Sequence, residues 1–520
     1  MGERICPFIG MLAAAACASL VHATPTPTTR IMAQSWQPLP GGDGRVYQAI
    51  EPCQIDELGR VSFPGRFVPV EGGTFDMYHQ TDGTTSRTYA YDGQPIPDEH
   101  SFFTGFENNA KLSPSGNIAF NATFAVNPAL GNQGIYYSDD GPLQTVAQSR
   151  SESPVGGENF SDVPDNFAVN DHGQVVFDFL HDFHRRMYIW ENGTYREIGG
   201  PNNPPPLPGY RSMSNDVIGI DNSGFATVGA LWYDATNTLR QAFLRTDGTT
   251  TQILAKERDQ VVNGDYILGM RDPDPSSNHS GHISFADNNI AIIRADASGP
   301  HVFPLFRGDP LPSGDGEFMN RVFPKTAINN QGDVVFQSHI NRWDVAGEEW
   351  GLFIGTPDSV EKIAYSGETV PGGNGRFTTQ LNQIRYGIND HGQVAFLADI
   401  TNTADTEGIF FWDPHYGLHK VVQRGDLIDG LEIGNLFLMS EADGFSSLNN
   451  RGEVAYWYVL ENGSTGAAVW RLPTPGTLVV LGMSASLWTG RRRESLSCRS
   501  RRENRRRTRS IPAVIGVRTN

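Results

Sequence analysis

A short motif recurs along most of this 520-residue chain. It reads apolar–Asn–Asp/Asn–x–Gly–x–apolar–x–aromatic, and its clearest copies are FAVNDHGQVVF (167–177), INNQGDVVF (328–336), INDHGQVAF (388–396) and LNNRGEVAY (448–456). Weaker copies are IDELGRVSF (55–63), LSPSGNIAF (112–120), IDNSGFATV (220–228) and FADNNIAII (285–293), the last with Asn289 at the glycine place. The glycine places of the eight copies lie 57, 57, 51, 65, 43, 60 and 60 residues apart, and a period of this size predicts repeated supersecondary units.

The residues of the motif are suited to a tight turn followed by a buried strand. Asn and Asp side chains accept hydrogen bonds from nearby backbone N–H groups, and Gly adopts the positive φ that closes a hairpin with a bulge. After Gly173, Val175 and Phe177 are expected on one face of a strand and Val176 on the other. Apolar residues on both faces predict a strand covered by a sheet on each side. We therefore expect the turn to lead from the outer part of one unit into a buried strand of the next.

Each copy is followed by three further segments with strand character. A strand with aromatic residues, such as GIFFW (408–412), comes first; a strand ending in Gly–Asp/Glu–x–apolar–Pro/Asp–Gly follows, as in RGDPLPSG (307–314); a last apolar segment leads into the next turn. With 57 Gly, 33 Pro and no sustained helical period, the chain is predicted to be all-β. Four strands per unit predict a β-propeller of seven or eight four-stranded blades over residues 45–472. A β-solenoid or another multi-sheet repeat is the alternative, although solenoid turns are usually shorter.

The N-terminal segment predicts export. Arg4 precedes an apolar stretch from Phe8 to Val21, and Val21-His22-Ala23 forms a small-residue cleavage pattern. This order is typical of a secretory signal peptide over residues 1–23, and it is too short to span a membrane comfortably. Residues 24–44, which contain TPTPTT, are predicted to be a linker.

A second targeting segment lies near the other end of the chain. PTPGTLVVLGMSASLWTGRRR (473–493) contains a Pro-x-Pro-Gly element, an apolar segment from Thr477 to Trp488 and an Arg cluster. This order resembles the PEP-CTERM sorting signals of exported bacterial proteins, with Thr474 where that family has Glu. The resemblance implies a transient membrane association that ends when the protein is delivered to the cell envelope or the extracellular matrix. A stop-transfer helix is the alternative, although the apolar segment would span only about 18 Å of a hydrocarbon core of about 30 Å.

The charge of the chain is unevenly distributed. From Arg491 onward there are eleven Arg and two Glu, and the basic stretch 494–520 is predicted to be disordered. Because the formal net charge of the whole chain is −18, residues 1–490 carry −27. An acidic body argues against a nucleic-acid partner, since phosphate binding needs a basic surface, and it suits solubility outside the cell.

One segment offers a weak candidate for a metal site. In DPDPSSN, residues Asp272, Asp274, Ser276 and Asn278 alternate as in an EF-type calcium loop, but without its mid-loop Gly and its terminal Glu. No dinucleotide fingerprint, phosphate-binding loop or nucleophile elbow is present in the sequence. Calcium is therefore the single cofactor that the sequence suggests, and no other cofactor is expected.

Histidines provide the remaining candidates. His181 and His184 are expected to face opposite ways on a strand, which argues against a zinc site. His279 and His282 lie in a predicted loop and could converge on a zinc ion, but no third ligand is evident. His172 and His391 occupy the variable third place of the repeated turn and are interpreted as surface residues.

Two functional hypotheses follow. The first is a secreted or envelope-associated propeller that acts as a non-enzymatic binding, adhesion or matrix protein, with an extracellular glycan, matrix component or protein as its ligand. The second is an extracellular carbohydrate-active hydrolase or lyase, whose acidic residues meet at the channel mouth from different blades. The long segments 199–212 and 257–282 are the predicted binding loops.

Overall fold

The computed structural model describes residues 27–472, apart from 42–43, 70–71, 98–100, 108, 126–131, 154–158, 161–165, 182–183, 201–202, 261–266, 268–274, 288–290, 303–307, 346–348, 373–374, 379–384, 402–406 and 441–445. The regular secondary structure of these residues consists entirely of β-strands. Within them, no helix has the length and hydropathy needed to cross a membrane. The predicted signal peptide (1–23), the sorting segment (473–493) and the basic tail (494–520) lie outside the described residues and stay predictions.

The strands form eight antiparallel sheets, numbered in chain order. The first strand, β1 (Thr28–Gln34), belongs to sheet 8. Sheet 1 consists of β2 (Val46–Ile50), β3 (Gln54–Ile55), β4 (Val61–Val68), β5 (Phe75–Thr81) and β6 (Ser86–Tyr91). Sheet 2 consists of β7 (Phe102–Phe106), β8 (Lys111–Leu112), β9 (Ile118–Ala125), β10 (Asn132–Ser138) and β11 (Gln144–Gln148). Sheet 3 consists of β12 (Phe167–Val169), β13 (Val175–His181), β14 (His184–Glu191) and β15 (Thr194–Gly199).

The remaining sheets continue the same order. Sheet 4 consists of β16 (Tyr210–Ile220), β17 (Ala226–Tyr233), β18 (Leu239–Thr246) and β19 (Thr251–Lys256). Sheet 5 consists of β20 (Ser276–Ser277), β21 (Ile283–Asp287), β22 (Ala291–Asp296) and β23 (Gly299–Val302). Sheet 6 consists of β24 (Gly316–Ile328), β25 (Val334–Arg342), β26 (Glu349–Gly355) and β27 (Val360–Tyr365).

Sheets 7 and 8 complete the set. Sheet 7 consists of β28 (Arg376–Phe377), β29 (Arg385–Ile388), β30 (Val394–Thr401), β31 (Glu407–Asp413) and β32 (Gly417–Gln423). Sheet 8 consists of β33 (Leu427–Ile428), β34 (Leu431–Phe437), β35 (Glu453–Leu460), β36 (Thr465–Arg471) and β1. In each sheet four strands follow one another side by side, and the first of them is in two pieces in sheets 1, 2 and 7.

The core consists of apolar clusters between neighbouring sheets. Val175 and Phe177 of β13 belong to a cluster with residues of sheet 2, whereas Val176 belongs to a cluster with residues of sheet 4. All three side chains are fully buried. The prediction that this strand is covered on both faces is therefore confirmed, and the apolar alternation on one strand is what holds three sheets together.

The sheets close into a ring. Each of the eight neighbouring pairs shares an apolar cluster, including sheet 8 with sheet 1, where Val469 and Ala455 pack with Phe63 and Tyr47. Strand β1 pairs antiparallel with β36, from Thr28 opposite Arg471 to Gln34 opposite Gly466. Sheet 8 thus combines the first strand of the propeller sequence with its last strands. The predicted β-propeller is confirmed with eight blades, and the solenoid alternative fails because the first and last sheets meet.

Three details differ from the sequence-based expectations. Residues 28–34, assigned to the linker 24–44, form the outer strand of sheet 8, because their backbone completes the edge of β36. The repeated turn connects the first and second strands of one sheet, as between β12 and β13, and does not link two units.

The fifth copy of the turn is Asn278–Gly281, where Gly281 has φ 81°, and the segment 285–293 contains parts of β21 and β22 instead. With Gly281 at the fifth place, the spacings become 57, 57, 51, 57, 51, 60 and 60.

Candidate functional site

The two ends of the sheets carry different connections. Turns between the first and second strands, and between the third and fourth, lie at one end, which we call the turn face. Hairpins between the second and third strands, and the links from one sheet to the next, lie at the other end, which we call the connection face. This assignment follows from the antiparallel order of four strands in every sheet.

On the turn face, the repeated motif folds into one compact turn. The Oδ1 of Asn170 accepts hydrogen bonds from the backbone N–H groups of His172 and Gln174, both at 3.0 Å. Gly173 has φ 77°, a conformation that glycine adopts without strain. The first-place side chain is buried in all eight copies, which are Asp56, Ser113, Asn170, Asp221, Asn278, Asn329, Asn389 and Asn449. We call this set of eight turns the Asx ring.

The first-place asparagines also bond to the next blade. The Nδ2 of Asn329 donates to the carbonyl of Asn389 at 3.0 Å, and the Nδ2 of Asn389 donates to the carbonyl of Asn449 at 2.9 Å. The Nδ2 of Asn449 donates to the carbonyl of Asp56 at 2.9 Å, which joins sheet 8 to sheet 1. Asn170 and Asn278 make the equivalent bonds to Asp221 and Asn329. At five of the eight blade junctions, the side-chain amide of the first-place Asn therefore donates a hydrogen bond to the next blade.

The other three junctions use different donors. Asn117 of sheet 2 donates from its amide to the carbonyls of Asn170 and Asp171, at 3.2 and 3.0 Å. At the two junctions where Asp stands at first place, a backbone N–H bridges the blades: Glu57 to Pro114 at 2.9 Å and Asn222 to His279 at 3.2 Å. Hydrogen bonds therefore run continuously through all eight turns.

In six of the eight turns the side chain at the fifth place pairs with the side chain at the first place, and at Asp221, where the fifth place is Phe225, Arg245 pairs with the carboxylate instead. Where Asn stands first, its Nδ2 also donates to a fifth-place acceptor, as from Asn389 to Gln393 at 2.7 Å and from Asn449 to Glu453 at 2.9 Å. Where Asp56 stands first, the fifth residue is Arg60, whose Nε lies 2.6 Å from the carboxylate. Matching of donors and acceptors is needed here because a buried polar group without a partner is costly.

Three of the second-place residues of the Asx ring are acidic: Glu57, Asp171 and Asp390. Asp171 accepts from the Asn222 amide at 2.8 Å, and Asp390 accepts from the amides of Asn330 and Asn450 at 3.1 and 2.9 Å. These carboxylates serve as acceptors that hold neighbouring turns together.

Electrostatic shifts agree with this structural role. Burial opposes ionisation of Asp171, but hydrogen bonds from Ser115 and Asn222 outweigh it and lower the pKa of the carboxyl. Burial raises the pKa of Glu57, the Asn450 N–H opposes this, and the nearby Asp390 raises it further. Burial lowers the pKa of His279, although Asp171, Asp390 and Asp221 pull it upward. The Asp171 carboxylate is thus ionised at neutral pH. It is suited to accepting hydrogen bonds that hold neighbouring turns together, and not to donating a proton as a general acid.

On the connection face, a second repeated feature links one sheet to the next. In the link between sheets 8 and 1, the N–H of Trp36 donates to the carbonyl of Tyr47 at 2.7 Å, and the N–H of Tyr47 donates to the carbonyl of Gln37 at 3.0 Å. Two residues thus oppose one, with the first at positive φ, which defines a G1 β-bulge. Among the described residues, seven of the eight links show it, with the positive φ at Trp36, Gly93, Arg150, Arg258, Gly308, Gly367 and Gly425.

Large apolar side chains are exposed mainly on the connection face. Ten such side chains are exposed among the described residues. Leu58 and Tyr416 lie on the turn face. The other eight lie on the connection face: Trp36, Tyr91, Phe102, Tyr233, Leu239, Trp343, Leu427 and Leu431. Exposed apolar residues at loops and strand ends are a common property of binding surfaces.

The predicted calcium site is only partly described. Asp272 and Asp274 lie outside the described residues. Ser276 begins β20 and is buried, and the Oδ1 of Asn278 accepts the N–H groups of Ser280 and His282. No group of three or more His, Cys, Asp or Glu in the described part of the chain is arranged to hold a metal ion. The calcium site stays a prediction.

The predicted histidine candidates separate in the structure. The backbones of His181 and His184 are paired at the ends of β13 and β14. His279 and His282 lie in the fifth turn, where Nδ1 of His282 is 3.2 Å from the Asn278 amide. His172 and His391 are exposed, as expected for surface residues.

The predicted binding loops differ in what they contain. The segment 199–212 joins β15 to β16 on the connection face. The segment 257–282 contains the bulge at Arg258, strand β20 and the fifth turn, so it spans both faces and is not a single loop. The motif of the fifth turn is weak in the sequence because His279 stands where the clearer copies have Asp or Asn.

The eight closed sheets define the chain as an eight-bladed β-propeller. The chain belongs to a family described as "Family of unknown function (DUF7453)", whose model matches residues 9–183 and 298–479. No curated protein has a significantly similar sequence.

Several solved structures are similar to this chain. An oligogalacturonate lyase in complex with manganese has 8% identity and a TM-score of 0.33, with 82% of this chain and 98% of that chain covered. An ulvan lyase of polysaccharide lyase family PL25 has 10% identity and a TM-score of 0.31, with 85% and 95% covered. A Trypanosoma rangeli sialidase has 8% identity and a TM-score of 0.29, with 90% of this chain and 62% of that chain covered. At this level of similarity, the fold of the present chain is defined by its own sheet order.

Proposed function

We propose that this propeller is an exported bacterial protein that binds an extracellular ligand on its connection face. The observation that carries the proposal is the distribution of exposed apolar side chains, eight of ten on that face. The turn face has its repeated polar side chains engaged in bonds between blades, so little of it is available for a ligand. Export is supported by the signal-peptide pattern over 1–23 and by the PEP-CTERM-like segment over 473–493.

The test uses the purified full chain. It is applied to an array of extracellular polysaccharides and matrix proteins, and the same components are assayed for cleavage products. We expect saturable binding without product. Binding should fall when exposed residues of the connection face are replaced, as in Trp343→Ala, and should be unchanged in Tyr416→Ala on the turn face. Equal losses in both variants, or no binding at all, would contradict the proposal.

A carbohydrate-active enzyme is the second candidate, and one observation favours it. Asp399 and Glu407 are directly opposite each other on β30 and β31 at the connection face. Burial raises the pKa of both carboxyls, and for Glu407 the Leu436 N–H and Arg424 oppose the rise while Asp399 adds to it. Directly opposed residues have Cβ atoms about 5 Å apart and side chains on the same face of the sheet, so the two carboxyl groups are neighbours.

This candidate makes a distinct prediction. If the pair is catalytic, the wild-type chain releases reducing ends or unsaturated products from a polysaccharide, and Glu407→Gln abolishes release while binding persists. Absence of product from every polysaccharide that the chain binds would exclude it.

A further inference from the structure

We propose that Trp36 anchors a saccharide-binding site on the connection face, where sheet 8 meets sheet 1. The proposal rests on the proposed binding function and adds the ligand class and the anchoring residue. It starts from the G1 bulge that seven of the eight links share.

The bulge place favours glycine, yet Trp36 stands there. Its φ is 70°, and of the six other links with this bulge, two have Arg at the same place, Arg150 and Arg258, and four have Gly: Gly93, Gly308, Gly367 and Gly425. A bulky side chain at positive φ is strained, and such strain is retained chiefly at sites where the side chain has a function. Glycine at residue 36 would satisfy the same backbone hydrogen bonds. The fold therefore does not explain the presence of Trp.

A side chain at the bulge place points away from the protein. A Cβ built on Gly93 or on Gly308 meets no atom within 4 Å. Trp36 agrees with this geometry, since 62% of it is exposed. An indole in this position presents a flat apolar face that a ligand can cover.

A polar side chain beside Trp36 suits a ligand rich in hydroxyls. Gln37 is exposed. It follows Trp36 in the chain, and its side-chain amide both donates and accepts hydrogen bonds, as the hydroxyl groups of such a ligand require.

A second aromatic surface lies on sheet 1 at the same face. The Arg45 guanidinium lies 5.2 Å above the Phe67 ring, and Phe67 is 6.0 Å from Tyr91 in an edge-to-face arrangement. Tyr91 is 37% exposed. Sugar rings have C–H faces that stack on aromatic rings and hydroxyls around their edges. A saccharide chain therefore fits a surface with Trp36 and Tyr91 as stacking groups and Gln37 as a polar partner.

The strain at Trp36 allows a test that separates binding from folding. Binding of the full chain to an array of neutral and uronic-acid-containing polysaccharide fragments is measured for wild type and Trp36→Gly. We expect at least a tenfold loss of saccharide binding in Trp36→Gly, with a denaturation midpoint equal to or above that of wild type. Arg258→Gly is the matched control, because it relieves the same bulge at another link and should leave binding unchanged.

Each other result identifies which idea fails. If Trp36→Gly binds within twofold of wild type while Trp343→Ala loses binding, the connection face binds saccharide but Trp36 is not its anchor. If wild type binds no saccharide yet binds a matrix protein, the ligand class is wrong and the binding function stands. If wild type binds neither, the proposed function and this inference fail together.

Discussion

The turn face and the connection face repeat equally regularly but use their repeated positions differently. At the first place of every turn a buried polar side chain is bonded, and in five turns it reaches the next blade. The bulge place of the links holds Gly, Trp or Arg, and a Cβ built on Gly93 or Gly308 reaches open space. The turn face therefore defines the order and closure of the blades, whereas the connection face tolerates variation and is available for binding.

The largest difference between the faces should appear when Asn becomes Asp. Asn449 is buried, and its Nδ2 donates to Asp56 and Glu453. Asn449→Asp removes both donors and puts a second carboxylate beside Glu453, so we expect a loss of about 3–4 kcal/mol in the free energy of unfolding. Chemical denaturation measures it.

The matched control for that variant lies on the connection face. Asn462 is exposed, and its Oδ1 accepts the Ser464 N–H, a bond that Asp preserves. Asn462→Asp should change the free energy of unfolding by less than about 0.5 kcal/mol. Similar losses in the two variants would show that the turn face has no special role.

A smaller effect is expected where Asp already stands in the ring. Asp56→Asn leaves Arg60 without the carboxylate that lies 2.6 Å from its Nε, although Asp140 still pairs with Arg60 at 2.9 Å. We expect a loss of about 2 kcal/mol in the free energy of unfolding. The double variant Asp56→Asn/Arg60→Gln reproduces the arrangement of Asn170 and Gln174, which bond at 2.8 Å, and should recover at least half of the loss. No recovery would show that first and fifth places are not matched.

On the connection face, removal of a side chain should stabilise the protein. Arg258 is exposed and has φ 77°. Arg258→Gly relieves this strain, partly offset by the greater freedom of glycine in the unfolded chain, for a gain of about 0.5–1 kcal/mol. The reverse change, Gly308→Arg, should lose a similar amount, because its Cβ fits but its φ of 88° does not suit Arg. A gain in both variants would contradict the bulge interpretation.

The last effect concerns the dependence of stability on pH. The pKa of His279 is lowered in the folded state, chiefly by burial. Between that pKa and the unfolded value of about 6.5, the unfolded chain binds more protons, so stability falls as pH falls, by at most about 1.4 kcal/mol per pH unit for one proton. His279→Asn places at this site the residue found in three other turns: Asn222, Asn330 and Asn450. The variant should lose less stability than wild type between about pH 7 and about pH 5.5; a larger loss in the variant would reverse the expected sign.

The sequence predicted the architecture because the turn chemistry is local. Asx and Gly residues at a fixed spacing require a particular backbone shape, and apolar residues after Gly173 on both faces require neighbouring sheets. The fifth turn was misplaced because His279 replaces the usual Asx residue and a similar Asn pair occurs at 288–289. The strand β1 was missed because its pairing partner lies more than 400 residues away, and no local pattern encodes such a pairing.

The candidate sites were less accessible to sequence reasoning. The hydrogen bonds from one turn to the next are accepted by backbone carbonyls. Because every residue has such a carbonyl, the sequence does not show which residues accept these bonds. The sequence does contain Gln or Glu at the fifth place after Asn170, Asn389 and Asn449, and Arg60 at the fifth place after Asp56, but Phe225 follows Asp221. Trp36 lay in the segment assigned to the linker, where an exposed aromatic has no apparent significance. Its strained φ appears only once the backbone is known.

The closure of the eight blades is tested most directly by native-state hydrogen exchange. The amides of β4 in sheet 1 and β35 in sheet 8 are compared with those of β17 in sheet 4 and β21 in sheet 5. Because a closed ring has no terminal sheet, opening free energies should be similar in all four strands. Exchange in sheets 1 and 8 that is faster by about a hundredfold, as expected for the frayed ends of an open stack, would contradict the closed propeller.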